Sequence, residues 1–250
     1  MSEWELPKDV ETESIERVGG GSFLWESGVY DTTIKMVYLN QTASEAVFFN
    51  VILEKNNGNM AELRENFCIK SGKAKGHKTY YVDKKTGKKR PLPGYSIAES
   101  MCRGATGEDL DTCMKSVEKK TVKVWNPELK KEVNAERPVV MSLVGKSTKV
   151  AVHQVIEDKQ AQNSNGEWVS TDESKTVNQC KFFGNMEGKT ADEIKDNTPA
   201  VMFDKWAKKN TGAVIDKSTK GQASNSAASI MGSTPAKEAA GSLFQTDPPI

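Results

Sequence analysis

Alternating apolar and polar residues predict a β-hairpin between residues 28 and 54. Successive side chains of a strand point to opposite faces, so each strand is expected to bury every second residue. In the first strand the buried set is predicted to be Tyr30, Ile34, Met36 and Tyr38. In the second strand, after a polar turn over residues 40–45, the buried set is predicted to be Val47, Phe49, Val51 and Leu53.

A third alternating run, over residues 62–70, predicts a neighbouring strand that buries Leu63, Phe67 and Ile69. The opposite side of these three strands, which we call the outer face, carries cations, amides and one aromatic ring: Lys35, Phe48, Asn50, Arg64, Asn66 and Lys70. Phosphates attract positive charge and unpaired bases stack on flat rings, so this composition favours a single-stranded polynucleotide as ligand. An ordinary solvated face with one exposed ring is the alternative.

A lysine-rich segment over residues 70–92 follows these strands. Its glycines interrupt both regular periods, and the Lys-Thr-Gly sequence after Tyr80 and Tyr81 predicts a small projecting hairpin, which we call the basic finger. Adjacent residues of a strand face opposite ways, so at most one of the two tyrosines is expected to stack on a base. The finger has one acid, Asp83, against nine cations: Lys70, Lys73, Lys75, Lys78, Lys84, Lys85, Lys88, Lys89 and Arg90.

The remaining pattern predicts two helical segments, over residues 95–103 and 107–117, and then more strands. Residues 119–125 alternate again and place Trp125 on the same face as Lys123, which makes this ring a second candidate for base stacking. Residues 126–138 are charged and are predicted to form a loop. Later elements are predicted to be strands over 139–144, 149–156 and 168–183, and an outer helix over 190–209 that Pro199 interrupts or starts.

Charge is distributed unevenly along the 250 residues, although the net charge is only +1. The first 18 residues contain six acids and two cations and precede three glycines, so residues 1–21 are predicted to form a flexible acidic arm. We expect this arm to compete with nucleic acid for the cationic face. Residues 216–250 are rich in Ser, Ala, Gly and Thr, which predicts a disordered tail. No apolar run approaches the roughly 20 residues of a membrane span, so we expect a cytoplasmic protein.

The sequence offers little support for catalysis or for a bound cofactor. The segment Gly145-Lys146-Ser147-Thr148 resembles the end of a P-loop, but Val140 stands where the leading glycine is required. Zinc is an open alternative, although no close-spaced cysteine pair fixes a half-site. Its four candidate ligands are Cys68, His77, Cys102 and Cys113. We therefore expect a binding protein without catalytic residues or a cofactor.

The predicted order of three strands, a helix and further strands is that of an OB-fold, a Greek-key β-barrel whose outer face binds oligonucleotides. Over roughly residues 23–183 the chain resembles the single-stranded DNA-binding proteins of tailed bacteriophages. The resemblance rests on the hairpin Val29–Leu53, the lysine-rich insertion around Tyr80-Tyr81 and the segment Leu143–Lys146. It implies a mainly-β domain over residues 22–215. It also implies a protein that coats single-stranded DNA, without strong sequence preference, during phage replication, recombination and repair in the infected bacterial cell.

The same resemblance implies a role for each part of the surface. Lys35, Arg64, Lys70, Lys123 and the finger cations would neutralise phosphates. The stacking rings would be Phe48, either Tyr80 or Tyr81, and Trp125. The tip of the tail would recruit replication or recombination proteins, although it has a single acidic side chain. The residues of this tip are Leu243, Phe244, Asp247 and Ile250.

Two other classes of function stay open at this point. The chain could be an interaction module whose basic finger holds an acidic protein partner. In that case mutation of Phe48 and Trp125 would leave DNA affinity unchanged. It could also be an accessory domain of a DNA-processing enzyme, which requires a metal-dependent activity that the sequence does not show.

Overall fold

The protein is mainly β, as the alternating patterns predict. The structure is a computed structural model that describes residues 24–56, 62–126, 129, 131–162 and 168–219. The strands in these residues are β1 (Gly28–Gln41), β2 (Val47–Lys55), β3 (Leu63–Lys70), β4 (Tyr80–Val82), β5 (Lys89–Pro91), β6 (Val117–Asn126), β7 (Lys131–Val140), β8 (Ser147–Gln162), β9 (Trp168–Gly184) and β10 (Val214–Asp216). The helices are α1 (Pro93–Thr106), α2 (Leu110–Met114), α3 (Ala191–Lys195) and α4 (Met202–Asn210).

The large sheet is organised around β1, which pairs along one edge with β2 and along the other with β8 and then β7. β2 pairs in turn with β3, and β6 forms a hairpin with β7. Among the residues described, no ladder joins β3 back to the far side of the sheet, so the sheet does not close into the predicted barrel. Helix α1 packs against β3, and the two backbones approach so closely that a Cβ on Gly94 would lie 2.5 Å from the Cys68 carbonyl oxygen. The finer assignment to the OB-fold stays a prediction.

The chain divides into two compact units. The first comprises residues up to 154 and residues 176–214. Its core is built from large side chains that are almost completely buried, each of which contributes about 1.5–3 kcal/mol to stability. They include Trp25, Ile34, Phe49, Leu53, Met101, Leu110, Leu143 and Phe183.

Of the described residues, the second unit comprises 155–162, 168–175 and 215–219. Two ion pairs join β8 to β9 in this unit, Lys159 with Glu173 at 2.7 Å and Lys175 with Glu157 at 3.3 Å. Residues 216–219 were predicted to belong to the disordered tail, but they contact β8: the Thr219 amide donates to the Asp158 carboxylate at 3.2 Å. The tail from residue 220 and the acidic arm over residues 1–21 lie outside the described residues.

Strand β1 departs from simple alternation at Lys35. The register between β1 and β2 shifts between Ile34 and Met36, which is the mark of a β-bulge. Beyond the bulge the residues that face the core and those that face outward change places. Val37 is therefore fully buried, whereas Met36 and Tyr38 are half-buried on the outer face. The prediction that Met36 and Tyr38 belong to the core is therefore wrong. The outer face gains a second aromatic ring, that of Tyr38.

Two other segments differ from the sequence-based expectation. Residues 126–138 were predicted to form a loop, but most of them belong to β7, in which only small or half-buried residues, Val133 and Ala135, alternate with the exposed Glu132, Asn134 and Glu136. The outer helix expected over residues 190–209, with Pro199 interrupting or starting it, is interrupted: it consists of two helices, α3 and α4, with Pro199 between them. Glu193 stabilises this break, because its Oε1 accepts the amides of Val201 and Met202 at 2.9 Å, where α4 begins. No helix of the described part is long and apolar enough to cross a membrane.

Candidate nucleic-acid interface

Three cross-strand rows of side chains cover the outer face. Residues paired in register on adjacent strands point to the same side of a sheet. The central row therefore contains Tyr38 on β1, Asn50 on β2 and Asn66 on β3. The flanking rows are Asn40, Phe48 and Cys68 on one side and Met36, Ile52 and Arg64 on the other. Phe48, Asn50 and Arg64 thus share one face, and Tyr38 joins them there.

The outer face is concave. On a flat sheet Glu132 of β7 would lie roughly 30 Å from Arg64 along the strand direction, because Val139 is opposite Tyr38, Glu132 is seven residues beyond Val139, and Arg64 is in the row of Met36, two residues to the other side of Tyr38. Arg64 on β3 nevertheless donates from Nη1 to Oε1 of Glu132 on β7 at 2.7 Å. The sheet therefore bends, and the three rows form the floor of a trough with Arg64 and Glu132 at its rim. The pKa of Tyr38 on this floor is raised overall, because burial raises it by more than the positive charges of Arg64 and Arg137 lower it.

Four charged side chains form a continuous network at this rim. Glu62, which precedes β3, accepts from Lys35 Nζ at 2.5 Å and from Arg64 Nη2 at 3.0 Å, and Arg64 also binds Glu132. The hydrogen bond from Lys35 lowers the pKa of Glu62, which stays ionised at neutral pH. Two predicted phosphate ligands, Lys35 and Arg64, are therefore already paired. Such exposed pairs contribute at most about 1 kcal/mol each, so a phosphate can displace them.

The β6–β7 hairpin continues this surface beyond the trough. Lys123 and Trp125 lie on one face of β6, as the alternation predicts, while Val122 on the other face is buried. Trp125 is 60% exposed and is paired in register with Glu132, the residue that contacts Arg64. Trp125 therefore stands close to the rim of the trough with its ring available to a base.

The basic finger contains a separate two-stranded sheet of β4 and β5. Asp83 closes its turn, because its carboxylate accepts the Lys85 amide at 2.8 Å and pairs with Arg90 at 3.2 Å. Tyr80 is half-buried and lies under Lys89, whose Nζ is 4.9 Å from the ring centroid. Tyr81 is 43% exposed on the opposite face, so Tyr81 is the ring available for stacking. The finger cations are all exposed: Lys70, Lys73, Lys75, Lys78, Lys84, Lys85, Lys88, Lys89 and Arg90.

The base of the finger is attached to the turn between β1 and β2. His77 Nε2 lies 3.2 Å from the Glu45 carboxylate in that turn. Gly72 packs so closely against the same turn that a side chain there would overlap the Ser44 carbonyl oxygen. The finger therefore leaves the sheet next to the row that contains Phe48, at one end of the trough.

The four candidate zinc ligands do not form a single cluster. Cys68 lies on the outer face, His77 contacts Glu45, and the side chains of Cys102 and Cys113 are buried in the helical part of the chain. Among the described residues no group of three metal-ligating side chains comes together. Residues 145–148 lead into strand β8 instead of a helix, so they do not form the phosphate-binding turn of a P-loop.

A half-open cavity of about 540 Å³ lies away from the outer face, between α1, the end of β9 and α3. Its lining mixes apolar groups such as Tyr95 and Phe182 with an ion pair, in which Arg103 donates to Glu99 at 2.6 Å. The lining contains neither histidine nor cysteine, and its cations are Arg103, Lys181 and Lys195, of which Arg103 is paired with Glu99. The trough is the better match to an extended polyanion because it is an open surface that continues to the exposed ring of Trp125 and to the exposed cations of the finger.

The tail residues proposed to bind partners, Leu243, Phe244, Asp247 and Ile250, lie outside the described residues. Sequence reasoning found the cations and Phe48 but missed Tyr38, Glu62 and Glu132, because the bulge and the bend of the sheet place them. No protein-family model matches this chain, and a search of curated proteins finds no relative.

Proposed function

We propose that the protein binds single-stranded DNA along the trough, the rim of the β6–β7 hairpin and the basic finger. The observation that carries this proposal is the concave outer face, where the rings of Tyr38 and Phe48 lie beside amides and cations. Rings that stack on bases and cations that neutralise phosphates are the two elements of single-strand recognition.

The path of the strand follows from the order of these groups. Trp125 and Lys123 stand at one rim, Tyr38 and Phe48 form the floor, and the finger leaves the sheet beside the Phe48 row. Each stacked base contributes about 1–3 kcal/mol, whatever its identity. The Asn50 amide already donates to the Phe48 carbonyl at 3.3 Å, so it is partly occupied and poorly placed to select a base. Because stacking tolerates every base, we expect binding without strong sequence preference.

The biological role that we propose is that of a non-catalytic coat on single-stranded DNA. The resemblance described above supports a place in bacteriophage replication, recombination and repair, in the cytoplasm of the infected cell. Recruitment of replication or recombination proteins is assigned to the tip of the tail.

A titration with oligo-dT, followed by tryptophan fluorescence at two salt concentrations, tests the proposal. We expect quenching and an affinity that falls steeply with salt, by about 0.7 log units per contacted phosphate for each tenfold increase. The conservative variant Trp125→Phe should keep most of the affinity and lose part of the quenching, whereas Trp125→Ala should lose affinity. Equal affinity for a duplex of the same length would indicate a general polyanion binder. No binding of either would favour the interaction-module alternative.

A further inference from the structure

Arg64 is the cation best placed to hold a phosphate at the trough, and two carboxylates already occupy it. Its Nε and Nη2 donate to Glu62 Oε2 at 3.3 and 3.0 Å, and its Nη1 donates to Glu132 Oε1 at 2.7 Å. A guanidinium binds carboxylates and phosphates with the same planar geometry. A phosphodiester that approaches Arg64 must therefore take the place of one of these acids.

Glu132 is the acid that a phosphate can displace more readily. Glu62 is held by Lys35 as well as by Arg64, and its side chain is 28% exposed. Glu132 is 40% exposed, and within the described residues its only ion pair is the one with Arg64. Displacing Glu132 breaks one contact, whereas displacing Glu62 breaks a network of three charges.

The position of Glu132 gives this exchange a mechanical consequence. Glu132 belongs to the β6–β7 hairpin, and its contact with Arg64 ties that hairpin to β3 across the trough. Its cross-strand partner is Trp125, the exposed ring proposed to stack on a base. Loss of this contact would remove the tie between β3 and the part of the hairpin that carries Trp125.

On the basis of the proposed function, we propose that Glu132 mimics a nucleic-acid phosphate on Arg64, so that in the unliganded trough an autoinhibitory ion pair occupies the phosphate site. A DNA phosphate takes over Nη1 of Arg64, the Glu132 carboxylate moves into solvent, and the hairpin with Trp125 becomes free to close on the bound strand. Glu132 thus lowers the affinity for single strands, so that a higher concentration of single-stranded DNA is needed for binding.

The test compares Glu132→Gln with Glu136→Gln in oligo-dT titrations at several salt concentrations. Glu136 is the matched control, because it is exposed on the same face of the same strand, and in the described part of the chain it forms no ion pair. Both variants remove one negative charge from the hairpin. We expect Glu132→Gln to raise the affinity roughly two- to fivefold, which is the range of an exposed ion pair, and to steepen the salt dependence. Glu136→Gln should produce only the smaller change due to net charge.

A second comparison isolates the contact with Arg64. In an Arg64→Gln background the additional change Glu132→Gln should give no more affinity than Glu136→Gln does, because the competitor has lost its target. Equal gains for the two glutamate variants in the Arg64 protein would overturn the inference while leaving DNA binding intact. A parent protein that fails to bind oligo-dT would overturn the proposed function, and this inference with it.

Discussion

Replacement of Tyr38 tests whether the ring revealed by the β-bulge takes part in binding. Tyr38 is half-buried on the floor of the trough, in the same row as Asn50 and Asn66. Because Tyr38 is half-buried, only part of its ring is accessible, and the ring can stack on one base at most. We therefore expect Tyr38→Leu to weaken oligo-dT binding by about 1–2 kcal/mol, or roughly 5- to 30-fold.

Tyr38→Phe is the matched control. It keeps the flat ring and removes only the hydroxyl, so its affinity should stay within about twofold of the parent protein. The assay is fluorescence anisotropy with labelled oligo-dT at low salt, accompanied by urea unfolding of each variant. Leucine is smaller than tyrosine, but Tyr38 is only half-buried, so the exchange should cost no more than about 1–2 kcal/mol of stability. A Tyr38→Leu protein that is folded and binds within twofold of the parent would refute the role of this ring.

Three further predictions concern packing and charge. Gly104→Ala should lower the free energy of unfolding by about 1–3 kcal/mol, because the new Cβ would lie 2.6 Å from the Gly184 backbone; an unchanged urea midpoint would contradict this. Glu193→Gln should cost about 1–3 kcal/mol at pH 7, because the carboxylate accepts backbone amides at the starts of α3 and α4. Burial raises the pKa of Glu193, but these hydrogen bonds lower it overall, so the stabilisation is present at neutral pH, begins to decline at the ordinary Glu pKa of about 4.3 and is lost as the pH falls through the lowered pKa of the folded protein. The melting temperatures of parent and variant should therefore converge in acid, and a constant gap down to pH 3 would count against this assignment. Lys84→Gln combined with Lys85→Gln should reduce the slope of log affinity against log salt by about 1.4. An unchanged slope would remove these two lysines from the interface.

The strands could be predicted from the sequence where one face is buried and the other is exposed to solvent. The alternation in β2 and β3 identified Phe49, Leu53 and Phe67 as core residues and left Phe48 and Arg64 outside, as the structure shows. Alternation failed at Lys35, because an inserted residue shifts the phase without leaving a signature in a run of mostly apolar side chains. It also failed along β7, where the alternation of Val133 and Ala135 with charged and amide residues is short and is surrounded by charged residues.

The electrostatics of the trough could not be predicted from the sequence. Glu62 is two residues from Arg64, but Glu132 is 68 residues away and meets Arg64 only because the sheet bends. A charge count along the chain identifies the cations and gives no information on which of them are already neutralised. The finger differs, because its nine cations are close in sequence and face a single local acid, Asp83.

Photocrosslinking is the most direct test of the central claim that a single strand lies in the trough. An oligo-dT that carries 5-iododeoxyuridine at defined positions can be irradiated in complex with the full chain, and the modified peptides can be identified by mass spectrometry. We predict crosslinks at Tyr38, Phe48 and Trp125, with Tyr81 of the finger as a further site. Crosslinks confined to the cavity beside α1, at Tyr95 or Phe182, would contradict the claim.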